Sequence, residues 1–338
     1  MKRPLWPRLI GPGMALVALL ACHAAPSAAP SSADLAPVPL PTLLPRTPTS
    51  APATPAATPV PARPVELTVI IVGDVMLGRM VNIGSLERED FTWPFRGTGE
   101  ALRAADLTLG NLESPIAEDC PPNEVSTLFC ADPRAVEGLA WAGFDGLSLA
   151  NNHSHDRGDE GFEQTVALLE EAGIAAFYDQ TVMVVEIRGV RIGVMGFMDV
   201  DRLLDVEAAL AATGEMAGQV DVLIGIMHWG YEYVAYHNWR QEVVGRALID
   251  AGMDVVAGAH PHQVQEIEEY NGGVIFYSLG NFVFDQMWSS GTRQGHIARL
   301  TFLIQEDGEV GLTYEIIPIT IHDFGQPRLE EEAQAQAW

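Results

Sequence analysis

Side chains that commonly bind divalent metals follow the ends of several predicted strands. They are two carboxylates, one asparagine and four histidines: Asp74, Glu113, Asn152, His153, His228, His260 and His262. Because sites in α/β proteins form at the carboxyl ends of strands, we expect these side chains to meet at one place. The mixture of oxygen and imidazole groups suits one or two divalent ions such as Mn²⁺, Zn²⁺ or Fe²⁺.

Each of these residues also has a purely structural interpretation. Asp74 could cap a turn, His228 could be a packed core histidine, and Asn152 suits a turn. Their shared position at strand ends favours the metal-site interpretation. Arg79 is a candidate for binding an anionic group, since a guanidinium pairs with phosphate or carboxylate through two hydrogen bonds. A surface ion pair is the alternative for this arginine.

Strands and helices alternate through the middle of the sequence, and strands pair as hairpins near its end. The apolar, β-branched run 66–72 predicts a buried strand that stops at Gly73-Asp74. Hairpin turns are predicted at Asn271-Gly272 and around 306–309. Helices are predicted at 99–105, 133–142, 160–172, 205–212 and 239–251. This order predicts an α/β domain with one mixed sheet or two stacked sheets.

The first 64 residues have the composition of an export signal and a tether. Residues 1–22 begin with basic residues, continue with a short apolar stretch and end in Leu19-Leu20-Ala21-Cys22. That ending fits a bacterial lipobox with Cys22 as the lipidated residue; an ordinary signal peptide is the alternative. Residues 23–64 hold twelve of the 23 prolines and predict a disordered Pro/Ala/Ser/Thr-rich linker. We therefore expect an exported protein, lipid-anchored at the outer face of the cytoplasmic membrane or in the cell envelope.

The charge of the chain limits its partners. The sequence has 19 Lys+Arg against 45 Asp+Glu, a formal net charge of −26. Nucleic-acid binding needs clustered cations, so we expect no nucleic-acid partner. The charge does not exclude a phosphorylated substrate, because bound metals can supply positive charge. Lys2 is the single lysine, so a chain without its N-terminus has no lysine nucleophile.

The remaining two cysteines lie ten residues apart around a proline-containing loop. In an exported protein, Cys120 and Cys130 are expected to form a disulfide that closes this loop. A pair of metal ligands is the alternative, which the lack of a nearby histidine disfavours.

The folded domain is expected over residues 65–325, with an acidic tail at 326–338.

Six short motifs follow one another along the sequence: Gly73 to Arg79, Asn111 to Pro115, Ala150 to His153, His228 to Gly230, Gly258 to His262 and Tyr277 to Phe282. In this order they resemble the CapA-type capsule synthesis family, which is associated with poly-γ-glutamate capsules and is similar to calcineurin-like metallophosphoesterases. The resemblance covers residues 66–320. It implies a four-layer α/β/β/α sandwich, with two mixed sheets flanked by helices and a metal site at the strand ends.

The resemblance also implies roles for individual residues. Glu113 stands where the superfamily has an aspartate that bridges two metals, and His153 matches the catalytic histidine. The residues that match metal ligands are Asp74, Asn152, His228, His260 and His262.

Two positions depart from the superfamily pattern. Met76 replaces a ligand histidine, and a thioether is a poor ligand for a hard ion. Ser154 follows His153 where phosphatases have an acidic residue. If this segment turns helically, Asp156 can instead hydrogen-bond His153 and orient it.

Three functions remain open at this point. The first is metal-dependent hydrolysis of a phosphoester, with His153 protonating the leaving group and Arg79 neutralising charge. The second is a non-catalytic component that binds or assembles an acidic polymer, in a complex with a capsule synthase. The third is hydrolysis of the amide bonds of such a polymer.

Overall fold

The computed structural model describes residues 64–179 and 181–330. The predicted signal peptide with Cys22 and nearly all of the predicted linker lie outside the described residues, as do residues 331–338. None of the described helices combines the length and the hydropathy that are needed to span a bilayer.

In the described part of the chain the backbone forms fourteen strands, among which the central ones are rich in Val, Ile and Leu. They are β1 (Val65–Val75), β2 (Leu107–Leu112), β3 (Gly146–Ser148), β4 (Ala175–Phe177), β5 (Val182–Ile187), β6 (Val190–Asp199), β7 (Val222–Trp229), β8 (Val255–Ala259), β9 (Ile267–Tyr270), β10 (Gly273–Phe276), β11 (Asn281–Val283), β12 (Gln294–Ile304), β13 (Val310–His322) and β14 (Gln326–Leu329).

Seven α-helices connect or flank these strands within the same described residues. They are α1 (Arg79–Arg88), α2 (Gly99–Arg103), α3 (Ala135–Ala142), α4 (Gly158–Glu171), α5 (Val206–Ala217), α6 (Trp239–Asp250) and α7 (Ser290–Arg293).

The strands form two mixed sheets. The eight-stranded sheet has the order β14-β13-β12-β1-β2-β3-β4, and β11 pairs with the end of β1. The six-stranded sheet has the order β5-β6-β7-β8-β10-β9. In the second sheet β6, β7, β8 and β10 are parallel, and the two edge strands are antiparallel to their neighbours.

The two sheets stack face to face with helices outside, which confirms the predicted four-layer sandwich. Strand β1 is buried on both faces, because Val69 and Ile71 face the second sheet while Ile70 and Val72 belong to the core under helices α1 to α4. Helices α5 and α6 cover the outer face of the second sheet, where Leu248 packs against Leu223 and Val256. A strand buried on both faces reads as a continuous apolar run, as in the sequence of β1.

Several predicted boundaries were wrong. Strand β1 runs on to Val75 because its last residues pair with β2 and β11, and helix α5 extends to Ala217 instead of ending at 212. Strand β14 pairs antiparallel with β13, so the folded domain extends past residue 325 into the stretch predicted as an acidic tail. Helix α1 and the short strands β4 and β11 were not predicted, since none of them carries a long apolar period.

Candidate metal centre

Asp74 lies near the end of β1, between two asparagines on neighbouring strands. Its backbone pairs in register with Asn111 of β2 and Asn281 of β11. The buried carboxylate accepts a hydrogen bond from Asn111 Nδ2 at 2.8 Å and one from the His260 backbone N–H at 3.1 Å. Gly73 makes this arrangement possible, because a Cβ there would lie 1.9 Å from the Gly280 carbonyl oxygen.

Glu113 follows β2 and is completely buried. Its Oε1 lies 3.9 Å from His228 Nε2, 3.8 Å from His262 Nε2 and 3.9 Å from His153 Nε2. Among the described residues, neither carboxylate oxygen has a hydrogen-bond partner. A buried carboxylate without donors is costly unless a cation compensates for it.

Three histidines of the second sheet complete the site. His228 lies in β7, and His260 and His262 lie in the loop that follows β8. Both loop histidines have positive φ, 92° for His260 and 54° for His262, a conformation that non-glycine residues adopt mostly at turns and functional sites. His262 Nδ1 lies 3.3 Å from Asp74 Oδ2 and 3.0 Å from Asn281 Oδ1.

Asn152, which follows β3, also contacts this group. Its Oδ1 lies 2.8 Å from His228 Nε2. The structure therefore brings together all six residues that the sequence predicts as metal ligands. We call them the ligand cluster: Asp74, Glu113, Asn152, His228, His260 and His262.

The ligand cluster fits divalent cations. Two groups of three side chains place their ligand atoms within 4.8 Å of one another: Glu113 with His260 and His262, and Asp74 with Glu113 and His228. Glu113 belongs to both groups, which suits a carboxylate shared by two cations. Within the described residues, His260 Nδ1 is also buried without a hydrogen-bond partner, so it is free to act as a ligand.

Burial and mutual repulsion set the protonation of these groups. Burial lowers the pKa of His228 well below its ordinary value, and the neighbouring His260 lowers it further. Burial and the neighbouring His262 lower the pKa of His260 to about 4. Both imidazoles are therefore neutral at pH 7, the form that binds metal. Burial and the adjacent Asp74 raise the pKa of Glu113, which a bound cation would reverse.

His153 lies at the edge of the ligand cluster and is oriented by Asp156. His153 Nδ1 is 2.8 Å from Asp156 Oδ2. The turn that joins the two residues is closed by a hydrogen bond from the Asp156 N–H to the His153 carbonyl, at 3.1 Å. The predicted hydrogen bond between these side chains is thus present, and Nε2 of the imidazole is left facing Glu113.

Arg79 and Met76 lie beside the site in different ways. The Arg79 guanidinium pairs with Asp285, and its Nε is buried without a partner among the described residues. Met76 is buried in the apolar core, and its sulfur lies 3.1 Å from the Gly78 N–H. Met76 stands at the position of a ligand histidine in the superfamily pattern, but it packs as a core side chain and does not take over the role of a ligand.

The sequence analysis missed two amide side chains that hold the ligands. Asn111 Nδ2 contacts both Asp74 and, at 3.2 Å, His228 Nδ1. Asn281 contacts His262 and donates from Nδ2 to the Thr292 carbonyl. Both lie in quoted motifs, but an asparagine near a strand end is also typical of a turn. Only the register with Asp74 distinguishes an asparagine that holds a ligand from one that forms a turn.

Comparison with known proteins gives the same family on two grounds. The family described as "Bacterial capsule synthesis protein PGA_cap" matches residues 68–286. The "Capsule biosynthesis protein CapA" of Bacillus anthracis is 31% identical over 293 residues, covering 78% of this chain and 69% of that protein. The "PGA biosynthesis protein CapA" of Bacillus subtilis is 31% identical over 280 residues, covering 76% and 72%.

Among solved structures, the fold is similar to that of a Staphylococcus aureus protein assigned as a 5′-nucleotidase. The TM-score is 0.50 at 13% identity, over 80% of this chain and 55% of that one. This similarity concerns the fold alone. The match over residues 68–286 and the identity to the Bacillus proteins show that the chain belongs to the bacterial capsule synthesis protein family PGA_cap.

Proposed function

We propose that this protein is an envelope-anchored capsule component whose ligand cluster binds divalent metal and hydrolyses a phosphoester-type bond. The observation that carries the proposal is Glu113, a buried carboxylate that has no donor among the described residues and that belongs to both groups of candidate ligands. A structural carboxylate would be hydrogen-bonded at this depth. The His153–Asp156 pair beside it supplies a group for proton transfer.

The ligand cluster would hold the metal through Asp74, Asn152, His228, His260 and His262, with Glu113 shared between two positions. A metal bound there would supply a water of lowered pKa and a Lewis acid for the phosphoryl oxygen. Asn111 and Asn281 would keep Asp74 and His262 in place, as outer hydrogen-bond partners do at metal sites. Mn²⁺, Zn²⁺ and Fe²⁺ all suit this set of oxygen and nitrogen ligands.

His153 would transfer the proton to the leaving group. Asp156 Oδ2 accepts a hydrogen bond from Nδ1–H of His153, which fixes the tautomer and stabilises the doubly protonated ring. The second proton is then carried at Nε2, the atom that faces Glu113. Arg79 would add positive charge near the substrate, because its buried Nε is a donor with no partner among residues 64–179 and 181–330.

The relatives support a role in capsule synthesis and favour a second candidate. They are named for biosynthesis of a capsule or polymer, not for hydrolysis. In this alternative the ligand cluster binds metal that contacts an acidic polymer, and the protein is a non-catalytic assembly component. Because the net charge is −26, binding of an acidic polymer would depend on bound cations or on arginines.

Metal content and hydrolysis together distinguish the two candidates. The purified protein is loaded with Mn²⁺ or Zn²⁺, its metal content is measured, and hydrolysis of bis(p-nitrophenyl) phosphate is followed. We expect the Asp74→Ala/His260→Ala variant to lose metal, and His153→Ala to keep metal but lose ~10²-fold or more in kcat. The exposed His155 provides the control variant, His155→Ala, with unchanged kcat.

The outcomes distinguish the two candidates. Metal binding with hydrolysis that depends on His153 supports the enzyme. Metal binding without hydrolysis in any variant favours the assembly component. A wild-type protein that binds no metal contradicts both candidates.

A further inference from the structure

The disulfide loop, residues 120–130, places one buried aromatic side chain against the catalytic histidine. Cys120 and Cys130 are bonded, with Cα atoms 5.4 Å apart. Most of the residues between them are exposed, including Val125 at 85% and Leu128 at 62%, whereas Phe129 is only 5% exposed. An exposed loop without regular secondary structure thus inserts a single phenyl ring into the protein.

Phe129 contacts three groups that the proposed reaction uses. Its ring stacks on the His153 imidazole with centroids 4.0 Å apart and planes 27° apart. The Arg79 guanidinium carbon lies 4.7 Å from the centroid of the same ring. The backbone N–H of Phe129 donates to Asp156 Oδ2 at 2.6 Å, the same oxygen that contacts His153 Nδ1.

The backbone that follows Phe129 is fixed. Cys130 is held by the disulfide, and the next residue, Ala131, donates its N–H to the Pro115 carbonyl at 2.9 Å and accepts from the Ala117 N–H at 3.1 Å. Gly78, the residue before Arg79, packs closely on Cys130, because a Cβ at Gly78 would lie 3.0 Å from its backbone N and O. Movement of the loop would therefore reach both Phe129 and Arg79.

We infer that Phe129 is a positioning residue for His153, Asp156 and Arg79, and that the Cys120–Cys130 disulfide holds Phe129 in place. The expected effect on catalysis rests on the proposed function. The expected effect on the position of His153 rests on the contacts alone. Small errors in the orientation of a catalytic group cost large factors in rate. We therefore expect His153, Asp156 and Arg79 to be correctly oriented only when the disulfide is formed.

Substitution of Phe129 tests this inference in the metal-loaded protein. Phe129→Leu keeps the backbone N–H and the apolar volume but removes the stacked ring. We expect kcat for bis(p-nitrophenyl) phosphate to fall by ~10-fold or more with KM and metal content little changed. Phe129→Tyr should retain most of the activity. Leu128→Ala, the adjacent outward-facing position, is the matched control and should leave kcat unchanged.

A second readout does not require activity. Carbethoxylation of His153 by diethyl pyrocarbonate is followed by mass spectrometry, with His155 as the internal reference. We expect His153 to react several-fold faster in Phe129→Leu and in Cys120→Ser/Cys130→Ser than in wild type. If the wild type does not hydrolyse the ester, the proposed function fails, but this ratio still tests the position of Phe129. A His153 rate that is the same in all variants would overturn the inference.

Discussion

At the scale of single residues, Glu113 determines whether the site is a metal centre or a packed polar core. It is the residue common to both ligand groups, and the described residues offer its oxygens no donor. Asp74, in contrast, is satisfied by Asn111 and the His260 N–H. A bound cation would therefore compensate Glu113 more than Asp74.

Glu113→Gln should remove the metal while the fold is kept. The amide has nearly the same shape but no charge, so we expect divalent affinity to fall at least ~10-fold. Isothermal titration with Mn²⁺ measures the change. Glu118→Gln, five residues further on at an exposed position, is the control. Wild-type affinity in Glu113→Gln would contradict the shared-ligand assignment.

At the scale of elements, the end of β1 carries the site because other strands approach it closely. Asp74 donates its backbone N–H to the Gly280 carbonyl at 3.1 Å, and this contact leaves no room for a side chain at Gly73. The same approach brings Asn281 into register with Asp74. Close packing of backbones at the strand end thus sets the geometry of the ligands.

Gly73→Ala should therefore destabilise the protein. We expect a loss of ~1–3 kcal/mol or more in the free energy of unfolding, as for overpacked cores. Gly214→Ala in α5 is the matched control, because the nearest atom to its added Cβ is 3.9 Å away; it should stabilise by roughly 0.5–1 kcal/mol. Urea denaturation of both variants measures the difference. Equal stability of the two variants would argue against the close approach.

Asp254 lies at the start of β8, at the opposite end of that strand from the ligand cluster. Its protonation makes the stability of the protein depend on pH. Burial raises the pKa of Asp254 to about 6 from the ordinary 3.8, although its Oδ2 accepts from the Leu223 N–H at 2.8 Å. The folded state therefore binds this proton more tightly than the unfolded state. Its contribution to stability is complete below pH 4 and is lost as the pH rises through 6.

Asp254→Asn should remove this dependence. Relative to wild type, the variant should gain up to about 3 kcal/mol between pH 4 and pH 7. Urea unfolding of the metal-free protein at a series of pH values measures it. Asp221→Asn is the control, since Asp221 makes a similar contact with the Arg191 N–H at an exposed position. A constant difference between Asp254→Asn and wild type across this range would contradict the assignment.

At the scale of the whole molecule, the proposed function combines a metal centre in the folded domain with an N-terminal lipid anchor. The folded domain supplies the ligand cluster, while the N-terminal motif Leu19-Leu20-Ala21-Cys22 supports lipidation. The relatives are capsule biosynthesis proteins, and a capsule is made at the cell envelope. An anchored chain would act where the polymer emerges.

Cys22→Ala tests the anchor. In the native host we expect the wild-type protein in the membrane fraction and the variant in the soluble fraction, because lipidation supplies the membrane affinity. Immunoblots of the two fractions measure the distribution. Ser27→Ala, in the adjoining linker, should leave it unchanged. A variant that stays in the membrane fraction to the wild-type extent would contradict lipid anchoring.

Much of the fold and the site was predictable from local patterns. The apolar run of β1 and the Asn271-Gly272 hairpin between β9 and β10 are visible as periodicity and turn chemistry. The residues of the ligand cluster could be selected because each lies at a strand end or within a few residues after it. The boundaries near Val75 and Gln326 were missed, since they depend on pairing with distant strands.

The sequence was sufficient to select the residues of the ligand cluster, the alternation of strands and helices, and the cysteine pair, because these depend on neighbours along the chain. That the ligand cluster binds metal stays a prediction. Three properties depend instead on non-local packing. The stacking of two sheets brings Asp74 and Glu113 of one against His228 and His262 of the other. The same packing leaves Glu113 without a donor in the part of the chain that the structure describes. It also seats Phe129 on His153, because strand order and loop docking, which no local pattern encodes, decide which side chains meet.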